Sequence, residues 1–103
     1  MTTIQRRRVV ITGMGTVNPC GNSVAETWEA LLAGKNGIGL ITKFDTTDFA
    51  CKIAGQVKDF NPDLYIDRKE QKKMDIFIQF AMAAAQQAME DSGLTAVELS
   101  KAE

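Results

Sequence analysis

From Ile76 to Met89 the chain reads IFIQFAMAAAQQAM, without a single charge. The run predicts the main helix, over 74–91. Gln79, Gln86 and Glu90 fall on one narrow stripe with Asp75, at steps of four, seven and four. The rest of the circumference is largely Phe, Ile, Met and Ala. A helix that is apolar over most of its circumference belongs inside a protein. Ala83, Ala84 and Ala85 permit close approach by a neighbour, and Gly93 stops the helix. Thr95 and Glu98 have capping-box spacing for a short further helix.

Upstream the pattern is weaker. Val9-Val10-Ile11-Thr12 is a β-branched run ending at Gly13, and it predicts a buried strand. GMGTVNPCGN then reads as a loop. Ser23 and Glu26 match a capping box, the hydroxyl taking the N3 amide and the carboxylate returning to the cap amide. The helix they open carries Val24, Trp28, Leu31 and Leu32 on one face, and Gly34 is placed to end it. KNGIGLITKFDTTDFA is a long connection with little period. CKIAGQV, over 51–57, offers a second strand, weakened by Gly55. DFNPDLYI turns the chain at Asn61-Pro62.

Strand, helix, strand, helix is the order of an α/β layer. No repeat, low-complexity tract or internal boundary divides residues 1–103. Two strands cannot enclose a helix greasy on nearly all sides. The helix is therefore expected to be covered by another part of a larger protein or by a partner chain.

Composition narrows the chemistry. Hydrophobic residues at 45% and charged residues at 24% suit a globular protein. A net charge of −1 and a pI near 5.4 oppose a dedicated nucleic-acid binder. The longest apolar run is too short and too broken by Gln to span a bilayer, and MTTIQRRR lacks a secretory apolar segment. A cytoplasmic location is the default expectation, with no membrane and no nucleic-acid partner. The chain has no histidine, so no Cys-His pair, Ser-His-Asp triad or His metal site can be built from it. Cys20 and Cys51 are far apart and read as small buried hydrophobes. Gly13-Met14-Gly15 after a strand invites a nucleotide-binding α/β reading. The fingerprint fails at Asn18 and Pro19, with the helix starting only near Ser23. The two glycines read instead as permitting tight turning and close backbone approach. Arg6-Arg7-Arg8 reads as a solvated lead-in. No cofactor is implied.

The segment DRKEQKK, at 67–73, holds four cations and two anions just before the uncharged run. On a near-helical path Arg68, Lys69, Lys72 and Lys73 are i, i+3 and i, i+4 neighbours. Residues 74–103 carry five acids against Lys101, so charge is segregated. Such a run is commonly a solvated face. As a functional patch it would attract an acidic partner, with strong salt dependence.

Three segments carry a family resemblance: RRVVITGMGTVNPCGNSVAETWEALLAGKNGI, ITKFDTTDFACKIAGQVKDFNP and RKEQKKMDIFIQFAMAAAQQAMEDSGL. In order and spacing they resemble the N-terminal segment of β-ketoacyl-acyl carrier protein synthases, condensing enzymes of type II fatty-acid synthesis, most of all the synthase II type. The resemblance implies an α/β fold, the thiolase-like α-β-α-β-α layers, with this chain an incomplete opening of the first half. It implies 8–12 as the first sheet strand, helix 74–91 deep inside, and a homodimer. It also implies decarboxylative Claisen condensation of acyl thioesters with malonyl-acyl carrier protein. The nucleophilic cysteine and two histidines of the family lie beyond these residues, and neither Cys20 nor Cys51 matches the nucleophile's motif. The chain alone is thus expected to be inactive. Arg68, Lys69, Lys72 and Lys73 match the region where basic residues receive acyl- and malonyl-loaded carrier protein. A non-catalytic module retaining only that patch is the alternative expectation.

Overall fold

Side-chain caps set where the two longer helices begin. The computed structural model describes residues 3–95, 98, 100 and 101. Helix α1 is Val24–Leu32, strands β1 and β2 are Ile38–Leu40 and Ile53–Gly55, and a 3-10 turn is Pro62–Leu64; helix α2 is Arg68–Gln71 and helix α3 is Ile76–Ser92. Ser23 is extended and its Oγ accepts the Glu26 amide at 3.2 Å, as the capping box requires. Glu26 returns one residue further than expected, accepting the Asn22 amide at 2.8 Å rather than that of Ser23. At the other end of α1, Gly34 takes φ 70°. The Gly34 amide donates to Leu31 O at 3.1 Å and the Lys35 amide to Ala30 O at 2.9 Å, a Schellman closure. Asp75 caps α3, and Gly93 ends it at φ 71°. Thr95 and Glu98 exchange both capping-box bonds, at 2.8 and 3.2 Å. The helix they were expected to open falls largely outside the described residues.

The glycines of GMG do what the sequence suggested, and the partner is α3. A Cβ on Gly15 would sit 2.1 Å from Ala84 O, and one on Gly13 2.3 Å from Ala88 O. Only a bare backbone can lie this close to a helix. The contact is tied by side chains of α3: the Met14 amide donates to Asp91 Oδ2 at 3.0 Å, and the Thr16 amide to Gln87 Oε1 at 3.1 Å.

Two expectations need correction. First, 9–12 is not a strand among the described residues: it joins no ladder, and Val9 is 88% exposed. Its intrinsic preference is extended, but no segment lies beside it to take its hydrogen bonds. Second, the connection at 35–50 contains a strand. β1 pairs antiparallel with β2, in register Ile38↔Gly55, Gly39↔Ala54 and Leu40↔Ile53. Three residues with glycine at the centre are too short to show alternation. The greasy helix is not enclosed, as expected of a chain with too few strands to cover it. Ala83 is fully buried, yet Phe77 is 65% exposed, and Ile76, Ile78 and Met82 are open as well. The face of α1 fares likewise, with Trp28 60% exposed. Among the described residues the buried hydrophobic side chains are Ala30, Ile66 and Ala83.

Dimensions agree with that open core. The Cα radius of gyration is 18.5 Å, whereas a compact chain of this length has about 13 Å. Accessible surface is 8668 Å², about one and a half times the roughly 5,700 Å² that size scaling gives for a closed monomer of this mass. Among the described residues the chain is a mixed α/β unit, in which a two-stranded antiparallel sheet follows α1 and precedes α2 and α3, and its core is not closed.

Two measurements check this arrangement. Gly15→Ala should destabilise the fold by about 1–3 kcal/mol through overpacking against Ala84 O, seen as a lowered thermal midpoint. The 103-residue chain should also strongly enhance the fluorescence of an apolar-surface dye. A dye-silent, monomeric chain would contradict the exposed faces of α1 and α3.

Candidate functional site

The cationic segment sits where the chain turns into α3. Asn61 opens the turn, its Oδ1 accepting the Asp63 amide at 3.1 Å. Pro62 occupies the first position of the 3-10 turn, where a missing N–H costs nothing. Ile66 is buried beneath. Asp67 then lets four residues coil as α2, and Lys72 and Lys73 lead out toward Asp75, whose Oδ1 takes the Ile76 amide at 2.8 Å.

Two glutamines hold this path in place. The Gln71 amide donates to Asp63 Oδ1 at 2.9 Å and to Ile66 O at 2.8 Å. The Gln79 amide donates to Gln71 O and Met74 O, each at 3.3 Å. From the narrow polar stripe of α3, Gln79 thereby fastens the patch to the helix.

All four predicted cations are exposed and come together on this one turn. They are not equivalent. Arg68 pairs with Asp63 Oδ2 at 3.3 Å, and Lys73 with Glu70 at 3.7 Å. Among the described residues no carboxylate lies within ion-pair distance of Lys69 or Lys72. Asp63 has a partner on each oxygen. The Gln71 amide, and after it the Arg68 guanidinium, hold its carboxyl below the ordinary value of 3.8. Thr47 lowers Asp45 in the same direction through its hydroxyl and its amide.

The other candidates do not assemble. Cys51 is exposed and Cys20 half-buried, so the buried-hydrophobe reading is corrected for both. Their loops face solvent because neither lies in a closed core. Cys20 donates its amide to Asn18 Oδ1 at 2.8 Å, and the Cys51 thiol lies 3.4 Å from Ile53 O. Among the described residues no group of three His, Cys, Asp or Glu could hold a metal. The amides of Met14 and Thr16, which a nucleotide phosphate would need, are already engaged by Asp91 and Gln87. No described helix is long and apolar enough to cross a membrane.

Sequence reasoning missed Gln87. Besides the Thr16 amide, it reaches Asn22 O at 2.7 Å and Tyr65 Oη at 3.2 Å through its own Nε2. It joins the glycine loop, the start of α1 and the turn before the patch. Its only signal was a second polar side chain beside Gln86 in an apolar run.

Residues 6–103 match the family described as "Beta-ketoacyl synthase, N-terminal domain". The chain belongs to the β-ketoacyl synthase family. Its synthase relatives include "3-oxoacyl-[acyl-carrier-protein] synthase 2" of Coxiella burnetii, 55% identical over 88% of this chain and 22% of that protein. A protein of the same name from Synechocystis is 48% identical over 96% of this chain and 24% of its own length. Among solved structures, "The ishigamide ketosynthase/chain length factor" superposes with a TM-score of 0.81 at 40% identity, over 91% of this chain and 23% of that one. The chain thus spans less than a quarter of the length of these relatives.

The pairing of Asp63 sets a pH dependence. Because its folded value is lowered, the turn's stabilisation is present above 3.8 and is lost as pH falls through the folded value. A carboxyl NMR titration should place Asp63 below 3.8, and Gln71→Ala should move it back up. An unchanged titration in the variant would remove the proposed cause.

Proposed function

We propose that this chain is the N-terminal part of a condensing enzyme that elongates acyl chains on acyl carrier protein. The observation that carries the reading is the 55% identity to a 3-oxoacyl-[acyl-carrier-protein] synthase 2 across nearly the whole chain. In the proposed reaction a cysteine thiolate takes the acyl group from one carrier protein and releases that carrier's thiol. Malonyl on a second carrier loses CO2, and the resulting enolate attacks the acyl thioester. The cysteine thiolate leaves, and a 3-oxoacyl carrier protein is formed. Two histidines would stabilise the developing oxyanions as preorganised donors. None of these groups is supplied here, since the chain has no histidine and neither Cys20 nor Cys51 matches the nucleophile's motif.

What this chain would supply is the mouth. Arg68, Lys69, Lys72 and Lys73 form the cationic turn, and the carrier protein's acidic helix and phosphopantetheine phosphate are fitting counter-charges. Exposed, unpaired lysines attract an acidic partner at range and hasten its arrival. Support comes from Lys69 and Lys72, for which no acid among the described residues lies within ion-pair distance. In the full-length enzyme the open faces of α1, α3 and 9–12 would lie within thiolase-like α-β-α-β-α layers, of which 1–103 opens the first half. A cytoplasmic homodimer completes the proposal.

The test is kinetic. Lys69→Glu with Lys72→Glu in the full-length enzyme should raise KM for carrier-protein substrates about tenfold or more at low salt and leave kcat nearly unchanged. A KM indifferent to both substitutions and to salt would remove the docking role.

A further inference from the structure

Asp63 stands inside the cationic patch, and nothing in the docking reading explains an anion there. Its two oxygens are divided. Oδ1 takes the Gln71 amide at 2.9 Å, and Oδ2 takes the Arg68 guanidinium at 3.3 Å. Gln71 is itself tied to Ile66 O at 2.8 Å, and Ile66 is buried. The carboxylate is therefore held from behind, with one face presented to Arg68. The Asn61 cap and Pro62 hold the backbone of Asp63 in the same way.

We propose that Asp63 is a positioning residue that engages Arg68 internally, so that an acidic partner is met by Lys69 and Lys72 and gains Arg68 only by displacing Asp63. The proposal rests on the carrier-protein reading and refines it. An exposed pair of this kind is weak, so the competition is a modest brake rather than a lock. It would limit affinity for a partner that must leave after each turnover.

The experiment is a binding cycle in the full-length protein, with an acyl carrier protein as probe and Kd measured at low and high salt. Asp63→Asn keeps an amide oxygen for Gln71 and removes the charge facing Arg68. It should tighten binding about two- to fourfold at low salt, the range an exposed pair allows. Arg68→Gln alone should change Kd less than about twofold, whereas Lys69→Gln and Lys72→Gln should each weaken it more. In the Arg68→Gln background, Asp63→Asn should give no further gain. Arg68 is exposed, so its variant reads the same coupling without risk to the fold. If the two lysine variants leave Kd unchanged, the docking reading falls and this proposal with it. If they weaken binding while Asp63→Asn has no effect, or its gain survives Arg68→Gln, the docking reading stands and the Asp63 proposal is overturned.

Discussion

The side-chain amide of Gln87 holds the structure's distant parts together, because it is the point where three segments share one partner. Its oxygen takes the Thr16 amide, and its nitrogen reaches Asn22 O and Tyr65 Oη. Those contacts span sequence separations of 71, 65 and 22 residues. They are possible only because Gly13 and Gly15 let the loop lie against α3 without side chains of its own. Asn18 extends the network, donating to Thr16 Oγ1 and Thr27 Oγ1 at 2.9 Å each. A half-buried polar network is strongest when each member is satisfied, and this one ties loop, α1 and α3 into one geometry.

Apolar burial plays a smaller part. Among the described residues three small or medium hydrophobic side chains are buried, while Trp28, Phe77 and the 9–11 run are open. So many large apolar side chains left open are unusual on a free monomer. Their presence beside a well-formed polar network makes physical sense for a piece that spans less than a quarter of its relatives. Polar links can be made locally. A core is made by layers stacking on one another.

The cationic turn shows how charge is kept available at such a surface. A short helix braced by Gln71 and Gln79 costs few charged groups their freedom. Among the described residues two of the four cations find internal acids, and two do not. Glutamine serves here because it binds backbone carbonyls and a carboxylate without changing the net charge of the patch.

Much of the local structure was legible in the residues. Both capping boxes, the glycine stops and the extent of α3 follow from hydrogen-bonding groups that lie within a few positions of one another. The clustering of Arg68, Lys69, Lys72 and Lys73 follows from helical spacing alone. β1 was hidden because Gly39 interrupts a three-residue pattern, and its partner lies across a long loop. The sequence by itself determined which segments coil, where they stop and where positive charge gathers. Only the tertiary structure decided that, among the described residues, 9–12 would join no strand, that Gln87 would be the junction, and that Asp63 would face Arg68 while Lys69 and Lys72 met no acid. Those outcomes depend on which segments meet across the chain, and local propensity carries no information about a partner many residues away.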